Sequence, residues 1–345
     1  MKIRVNFESE SETSKMRRVT FEEYLEYTRR KGEIEIGGVR IKLEPIKVKR
    51  LHPTREELTD VSTTVWSFPK RGSWGTHRGD YRGNWPPQVP RSLMLMYTRR
   101  GDTVLDPMVG SGTTCIEAKL LGRNCIGVDI NYDAVILTLH RLYWLEKHLE
   151  KIASAAGDLR VRVPGVGAGD EESVSVDEML GARVEIYHGD ARSLDGLQDE
   201  SVDLVALHPP YYSIIRYSGG KRVPGDLSVA GSLEEYLDMM YQVGREVFRV
   251  LRPGRFMGVL VGDTRVRKHY VPLTHYVLRV LLRAGFIVRE EVVKIQHRMR
   301  VTRGKWVKLG RRDFLLIYHE KLFILRKSVY PDEYGRYRYS SYMED

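Results

Sequence analysis

The run Asp106-Pro107-Met108-Val109-Gly110-Ser111-Gly112-Thr113-Thr114 constrains the fold of this chain more than any other stretch. Before it, Thr103-Val104-Leu105 is β-branched and apolar, as a buried strand requires. After it, Ile116, Ala118, Leu120 and Leu121 recur on a helix-like apolar face. Strand, glycine turn and helix in that order make a backbone corner. Gly110 and Gly112 permit positive φ and leave no Cβ between the main chain and a ligand at the helix N-terminus. Cys125-Ile126-Gly127-Val128 reads as a second strand ending on Asp129, where a carboxylate suits the two hydroxyls of a ribose. Because Asp106 at the first strand end faces a cation better than a diphosphate, the corner reads as a site for a charged nucleoside.

Two further strand signals end in polar residues. Val184-Glu185-Ile186-Tyr187 leads into His188-Gly189-Asp190, and Val202 to Leu207 runs straight into His208-Pro209-Pro210-Tyr211-Tyr212. Both break at the strand's carboxyl end, where ligands sit in open α/β sheets. Together the GSGTT turn and the HPPY run resemble the S-adenosylmethionine-dependent amino-methyltransferases of nucleic acids, whose cofactor motif reads DPFxGSGTT. The second motif of that family is Asp, Asn or Ser, then Pro-Pro and an aromatic. The HPPY variant, with the later Gly262-Asp263-Thr264-Arg265 and Gln296-His297-Arg298 segments, is similar to archaeal-type proteins classed as N4-cytosine methylases.

The resemblance implies an α/β fold with a Rossmann-like class I methyltransferase sheet closed by a terminal antiparallel hairpin. It implies S-adenosyl-L-methionine as cofactor, held by Asp106, Pro107, Gly110, Ser111, Gly112, Thr113, Thr114, Asp129, Ile130, Asp190 and Ala191, with Asp129 on the ribose and Asp190 near the adenine amine. In related enzymes a proline-bearing segment before the glycine motif closes over the methionine end. The Gly-, Pro-, Trp- and Arg-rich stretch from Val65 to Tyr97 occupies that position, which makes Trp66, Phe68, Asn84 and Trp85 candidate pocket residues.

His208, Pro209, Pro210 and Tyr211 are the catalytic candidates. The lone pair of a ring-conjugated amine is a poor nucleophile, so acceptors at the first motif position and on the Pro209 carbonyl would hold the amine hydrogens and aim the lone pair. Tyr211 is expected to stack on an extruded base, and the two prolines stiffen the strand tip. His208 departs from the family's Asp, Asn or Ser. A neutral imidazole still accepts one hydrogen bond and can take the proton released after transfer. The target is read as cytosine N4, with adenine N6 as the chemical alternative. A noncatalytic RNA-binding protein that keeps the fold is the alternative of another class.

A formal net charge of +10 over 345 residues favours a polyanionic partner. From Arg298 to Arg312 the chain gathers Arg298, Arg300, Arg303, Lys305, Lys308, Arg311 and Arg312 without an acid, interleaved with Trp306. Phosphate contacts and base stacking are expected there, with Tyr212 and Asp263 as further substrate contacts. The sequence lacks an eighteen-residue apolar run and a signal-peptide pattern, so a cytoplasmic location is expected. Cys115 and Cys125 read as core thiols, with neither a structural disulfide nor a metal site.

Residues 1–60 read as a small α+β extension, a possible substrate grip. Residues 61–328 read as the methyltransferase domain and 329–345 as a tail strapped to the surface. Ala153 to Asp177 reads as a flexible surface insertion. The cofactor motif precedes the HPPY motif, and between them no stretch is long enough for a separate target-recognition domain. Direct base reading needs such an element, so structured RNA, ribosomal RNA in particular, is favoured slightly over duplex DNA of a modification system.

Overall fold

The computed structural model describes residues 16–58, 61–81, 83–157, 159–164, 171–212, 223, 225–297 and 313–343. In chain order the elements are β1 (Arg17–Val19), α1 (Phe21–Arg30), β2 (Glu33–Ile36), β3 (Val39–Lys42), β4 (Val65–Ser67), α2 (Gln88–Tyr97), β5 (Thr103–Asp106), α3 (Thr113–Leu120), β6 (Asn124–Asp129) and α4 (Tyr132–Ala156). There follow β7 (Arg160–Pro164), β8 (Glu171–Ser175), α5 (Val176–Gly181), β9 (Val184–His188), β10 (Val202–Leu207), α6 (Leu233–Val250), β11 (Leu251–Val261), β12 (Thr264–Val266), β13 (His269–Val271), α7 (Leu273–Arg283), β14 (Ile287–Ile295) and β15 (His319–Arg326).

One sheet of order β1-β9-β6-β5-β10-β11-β15-β14-β4 organises the molecule. The strands from β9 to β11 are mutually parallel, and β15 is inserted antiparallel between β11 and β14. This is the Rossmann-like sheet with a terminal antiparallel pair that the motifs imply. Every residue of β10, Val-Asp-Leu-Val-Ala-Leu, is buried, as expected for a central parallel strand covered on both faces. One apolar layer joins α2, α3 and α4 to the sheet through residues such as Leu93, Ile116 and Leu139. The other joins α6 and α7 through Met240, Val243, Val277 and Leu281.

The N-terminal region is built onto this sheet. Strand β1 pairs antiparallel with β9, and α1 opens on a reciprocal Thr20–Glu23 capping box. Tyr24 Oη lies 2.8 Å from His140 Nδ1, and Tyr27 donates to Asp133 at 3.0 Å, both on α4.

Two expectations are corrected. The insertion after α4 contains the β7–β8 hairpin and α5, with Val163, Val174, Val176 and Met179 buried. Its Glu172 pairs with the fully buried Arg123 at 2.8 Å. Short strands alternating valine with charge around a glycine-rich stretch give weak periodicity, which is why the sequence reads there as loop. Cys115 and Cys125 are buried as expected, but their sulfurs are joined as a disulfide. Helix α3 packs across β6 and brings the two Cα atoms to 5.3 Å, a proximity that linear spacing conceals.

Between β4 and α2 the chain has little regular structure, and one carboxylate holds it. Glu117 on α3 is fully buried and accepts from Trp74 Nε1 at 2.6 Å, His77 Nε2 at 2.6 Å and Arg91 Nη1 at 2.8 Å. Burial opposes its charge, but Arg91 and His77 hold it down to about 2. Gln88 adds bonds to Gly72 N at 3.2 Å and to the Lys70 carbonyl at 2.9 Å. Replacing Glu117 with Ala would strand a buried guanidinium and a buried indole N–H. We expect that change to lower unfolding free energy by about 3–5 kcal/mol in denaturant titration. A loss below about 1 kcal/mol would mean that apolar packing alone secures the segment.

Candidate functional site

The carboxyl ends of β5, β6, β9 and β10 surround a cavity open to solvent. Asp106, Pro107, Gly110, Ser111 and Thr113 form its floor at the glycine turn. Asp129 and Ile130 line it from the end of β6, Asp190 and Ala191 from beyond β9, and His208 and Pro210 from beyond β10. Asn84 and Trp85 close one side. Gly110 and Gly112 take φ of 54° and 80°, conformations that side chains disfavour.

Gly112 and Thr114 do not line the cavity. A Cβ at Gly112 would lie 2.9 Å from Thr138 Cγ2, and the Thr114 hydroxyl donates to Asp106, so these two residues shape the floor from beneath. Trp66 and Phe68 are corrected outright as pocket residues. They sit on and just after β4 at the far sheet edge, where Trp66 donates to the Thr63 carbonyl at 3.0 Å and packs edge-on against Phe68. Both are buried, so their aromaticity serves the core. Tyr81, Asn131, Gly225, Asp226 and Leu227 line the cavity without having been singled out for the cofactor. Asn131 caps α4 immediately after the Asp129 strand end, a signal the sequence does carry. Gly225, Asp226 and Leu227 stand at the cavity wall in a tight turn, in which Asp226 accepts from Ser228 N at 2.8 Å.

Four carboxylates, Asp106, Asp129, Asp190 and Asp226, face this space. Asp129 accepts from Gly110 N at 2.8 Å and Asn131 N at 2.9 Å, but burial still pushes it up to about 6. Burial pushes Asp106 up to about 7, against the bonds from Thr114 and Met108 N. Asp190 is neutralised by Arg192, 2.6 Å away. Thr113 Oγ1 is buried without a hydrogen-bond partner among the described residues. An orphaned hydroxyl beside buried carboxylates fits a cationic ligand that also carries polar groups.

A second cavity adjoins the first and shares Gly83, Asn84, Trp85 and His208 with it. Pro86, Pro209, Tyr211, Lys294, Gln296 and Glu320 complete its lining. His208 therefore stands at the junction. Its Nε2 is 2.9 Å from Tyr211 Oη, Tyr211 donates to Glu320 Oε1 at 2.7 Å, and Lys294 Nζ donates to Glu320 Oε2 at 2.8 Å. Trp85 lies parallel to the imidazole, 9° between planes and 5.4 Å between centroids. Burial pushes His208 down to about 4. Gly262 at the end of β11 leaves room for the Tyr211 ring, since a Cβ there would come within 2.7 Å of it. Tyr236 donates to the Pro210 carbonyl at 3.0 Å and steadies the strand tip.

Of the expected substrate contacts, Tyr212 lines neither cavity and packs on Tyr236. Asp263 is corrected to a structural role. It accepts from Thr274 N in the first turn of α7 at 2.8 Å and from Tyr270, because the antiparallel β12–β13 pair folds the chain back and brings the start of that helix to the end of β11. Arg298, Arg300, Arg303, Lys305 and Trp306 lie outside the described residues. Lys294 and Glu320 escape a sequence reading because each sits inside a strand pattern. Their meaning comes from register, which sets them directly opposite one another on β14 and β15.

A family model described as "DNA methylase" matches residues 3–138, and one described as "RMKL-like, methyltransferase domain" matches residues 92–220. Among curated proteins, the type II methyltransferase M2.MboI of Moraxella bovis is 34% identical over 79 residues, 23% of this chain and 29% of that protein. The type II methyltransferase M.MjaI of Methanocaldococcus jannaschii is 39% identical over 80 residues, 23% of this chain and 26% of that protein. The chain thus spans under a third of the length of these relatives. A SAM-dependent methyltransferase structure from Methanosarcina mazei shares 16% identity over 68% of this chain and 96% of that one at a TM-score of 0.39, a likeness too loose to add to the strand order. Among the described residues no helix is long and apolar enough to cross a membrane.

The raised carboxylates have a measurable consequence. A carboxyl group whose folded pKa is raised contributes stability that is full below its unfolded pKa near 4 and is lost as pH rises through about 7 for Asp106. Buried His52, His77 and His140 and half-buried His208, all pushed down, pull the opposite way in part of that window. The difference between wild type and Asp106→Asn isolates the carboxylate. Relative to the variant, wild type should lose stability between pH 4 and pH 7 in urea titrations, and a pH-independent difference would contradict the buried-acid account.

Proposed function

The chain belongs to the S-adenosylmethionine-dependent amino-methyltransferases, and we propose that it methylates an exocyclic ring amine of a nucleic acid, cytosine N4 in our reading. The observation that carries this reading is the shared wall: one histidine lines both the cavity at the glycine turn and the neighbouring cavity built on the HPPY run. When bound, the cofactor supplies an electrophilic methyl group on a sulfonium. Asp129 would hold the ribose through lone pairs left over from Gly110 N and Asn131 N, Thr113 Oγ1 would gain a partner, and Asp190 would lie towards the adenine amine.

His208 then acts on the acceptor. As a neutral imidazole it takes a hydrogen bond from the target amine, turning the nitrogen lone pair towards the first cavity, and afterwards receives the proton that the methylated amine releases. Trp85 and Pro86 wall the second cavity, keeping water from the reacting nitrogen. Tyr211 bounds the base with its ring, while its hydroxyl is committed to Glu320.

For the polymer, our reading is folded RNA, ribosomal RNA in particular, on the basic run from Arg298 to Arg312 and on the short spacing between the two motifs. Duplex DNA is the second reading, favoured by the DNA methylase model and by the type II relatives. Incubation with methyl-labelled cofactor and either total RNA or genomic DNA, followed by nucleoside analysis, separates them. Label in N4-methylcytidine from RNA supports the first reading, label only in DNA nucleosides the second, and label in N6-methyladenosine replaces the target base.

Asp129→Ala should weaken cofactor binding by about 1–3 kcal/mol in calorimetry. His208→Ala and Tyr211→Ala should depress turnover with cofactor affinity little changed; full activity in His208→Ala would remove the histidine from the mechanism. Replacing Arg300, Arg303 and Lys305 with Ala should lower the salt dependence of nucleic-acid binding by roughly one unit of log slope for each phosphate contact removed.

A further inference from the structure

We infer that Glu320, held by Lys294 and accepting from Tyr211, decides which nitrogen of His208 carries the proton, and so acts as a positioning residue for the target amine. The inference rests on the methyltransferase reading only for the identity of what His208 accepts from. The chain of donors itself follows from the geometry.

Lys294 and Glu320 are opposed across β14 and β15, with side chains 9% exposed and a contact of 2.8 Å. Burial works against the Glu320 charge, and the Lys294 ammonium keeps it below the usual carboxylate range. An ionised carboxylate only accepts, so the single proton of the Tyr211 hydroxyl points at Glu320, 2.7 Å away. Towards His208 the phenol oxygen can then only accept. Nε2, at 2.9 Å, must be the donor. A neutral imidazole has one N–H, which leaves Nδ1 as a bare lone pair on the ring shared by the two cavities. The opposite tautomer would present an N–H to an amine that is itself a donor. Histidine can therefore stand where the family carries Asp, Asn or Ser because two residues more than eighty positions downstream, Lys294 and Glu320, fix its tautomer.

Glu320→Gln tests this with little change of shape. Its amide oxygen stays with Lys294, which needs an acceptor, so its NH₂ faces Tyr211. The phenol then accepts from Gln and donates to His208 Nε2, moving the imidazole proton to Nδ1. The readout is a long-range ¹H–¹⁵N correlation spectrum of the full chain with ¹⁵N-labelled histidine and without ligand, His208 being assigned with His208→Asn. The expected patterns are Nε2–H in wild type, Nδ1–H in Glu320→Gln, and Nε2–H retained in Tyr211→Phe, which removes the relay without reversing it. Nδ1–H in wild type, or an unchanged pattern in Glu320→Gln, overturns the inference.

In turnover assays Glu320→Gln should lower kcat by about a hundredfold, with KM and cofactor affinity altered less than about twofold. A flipped tautomer with undiminished kcat overturns the positioning role. Wild-type protein that shows the Nε2–H pattern but methylates no nucleic acid overturns the proposed function and leaves the proton assignment standing.

Discussion

The buried carboxylate of Glu117 is the constraint on which both cavities depend. Asn84 and Trp85 form a wall common to the two spaces, yet they lie on chain with almost no backbone ladder of its own. That chain stays in place because Trp74, His77 and Arg91 all converge on one acceptor at the back of α3, the helix whose N-terminus forms the cavity floor. Floor and wall are thereby tied to the same eight-residue helix. A displacement of α3 would move both together, so the distance between the glycine turn and Trp85 is conserved even if the surrounding loops shift. Asn84 closes the circuit by donating to Ser111 Oγ at 3.2 Å, a direct bond from wall to floor.

The two cavities differ in how they treat charge. In the first, carboxylates crowd together at a cost in burial that a cationic occupant would offset, and among the described residues Arg192 pairs with Asp190. In the second, Lys294 and Glu320 balance one another, and the histidine beside them is kept neutral. A fixed positive charge placed between the cavities would repel a sulfonium. The low proton affinity of His208 avoids this while retaining an acceptor.

Much of this was legible in the residues. The strand–turn–helix at Asp106 to Leu121 and the strand end at Asp129 rest on local rules, glycine φ and apolar periodicity, and both stand in the structure where the pattern puts them. Helix α6, Leu233 to Val250, rests on rules of the same local kind, since Ser232 caps it and its apolar face is continuous. What stayed hidden depends on partners remote in sequence. Trp66 looks like a pocket aromatic until β4 is seen pairing with β14. Cys115 and Cys125 look like separate core thiols until α3 crosses β6. Asp263 looks like a substrate contact at a strand end until α7 begins on top of it. In each case the side chain has two physically sound uses, and only tertiary placement selects between them.

The antiparallel insertion of β15 bears on how the molecule is made. Glu320 and the partner strand of β14 come from the last of the sheet strands in the chain, and β4, far upstream, can dock only against a β14 already in place. During synthesis the parallel strands from β5 to β11, with the glycine turn that forms the cavity floor, emerge before β14 and β15. The histidine relay closes only when residue 326 leaves the exit tunnel. The cavity floor and the Lys294–Glu320 pair behind Tyr211 thus draw on separate stretches of chain, and only the register of the last two sheet strands brings them side by side.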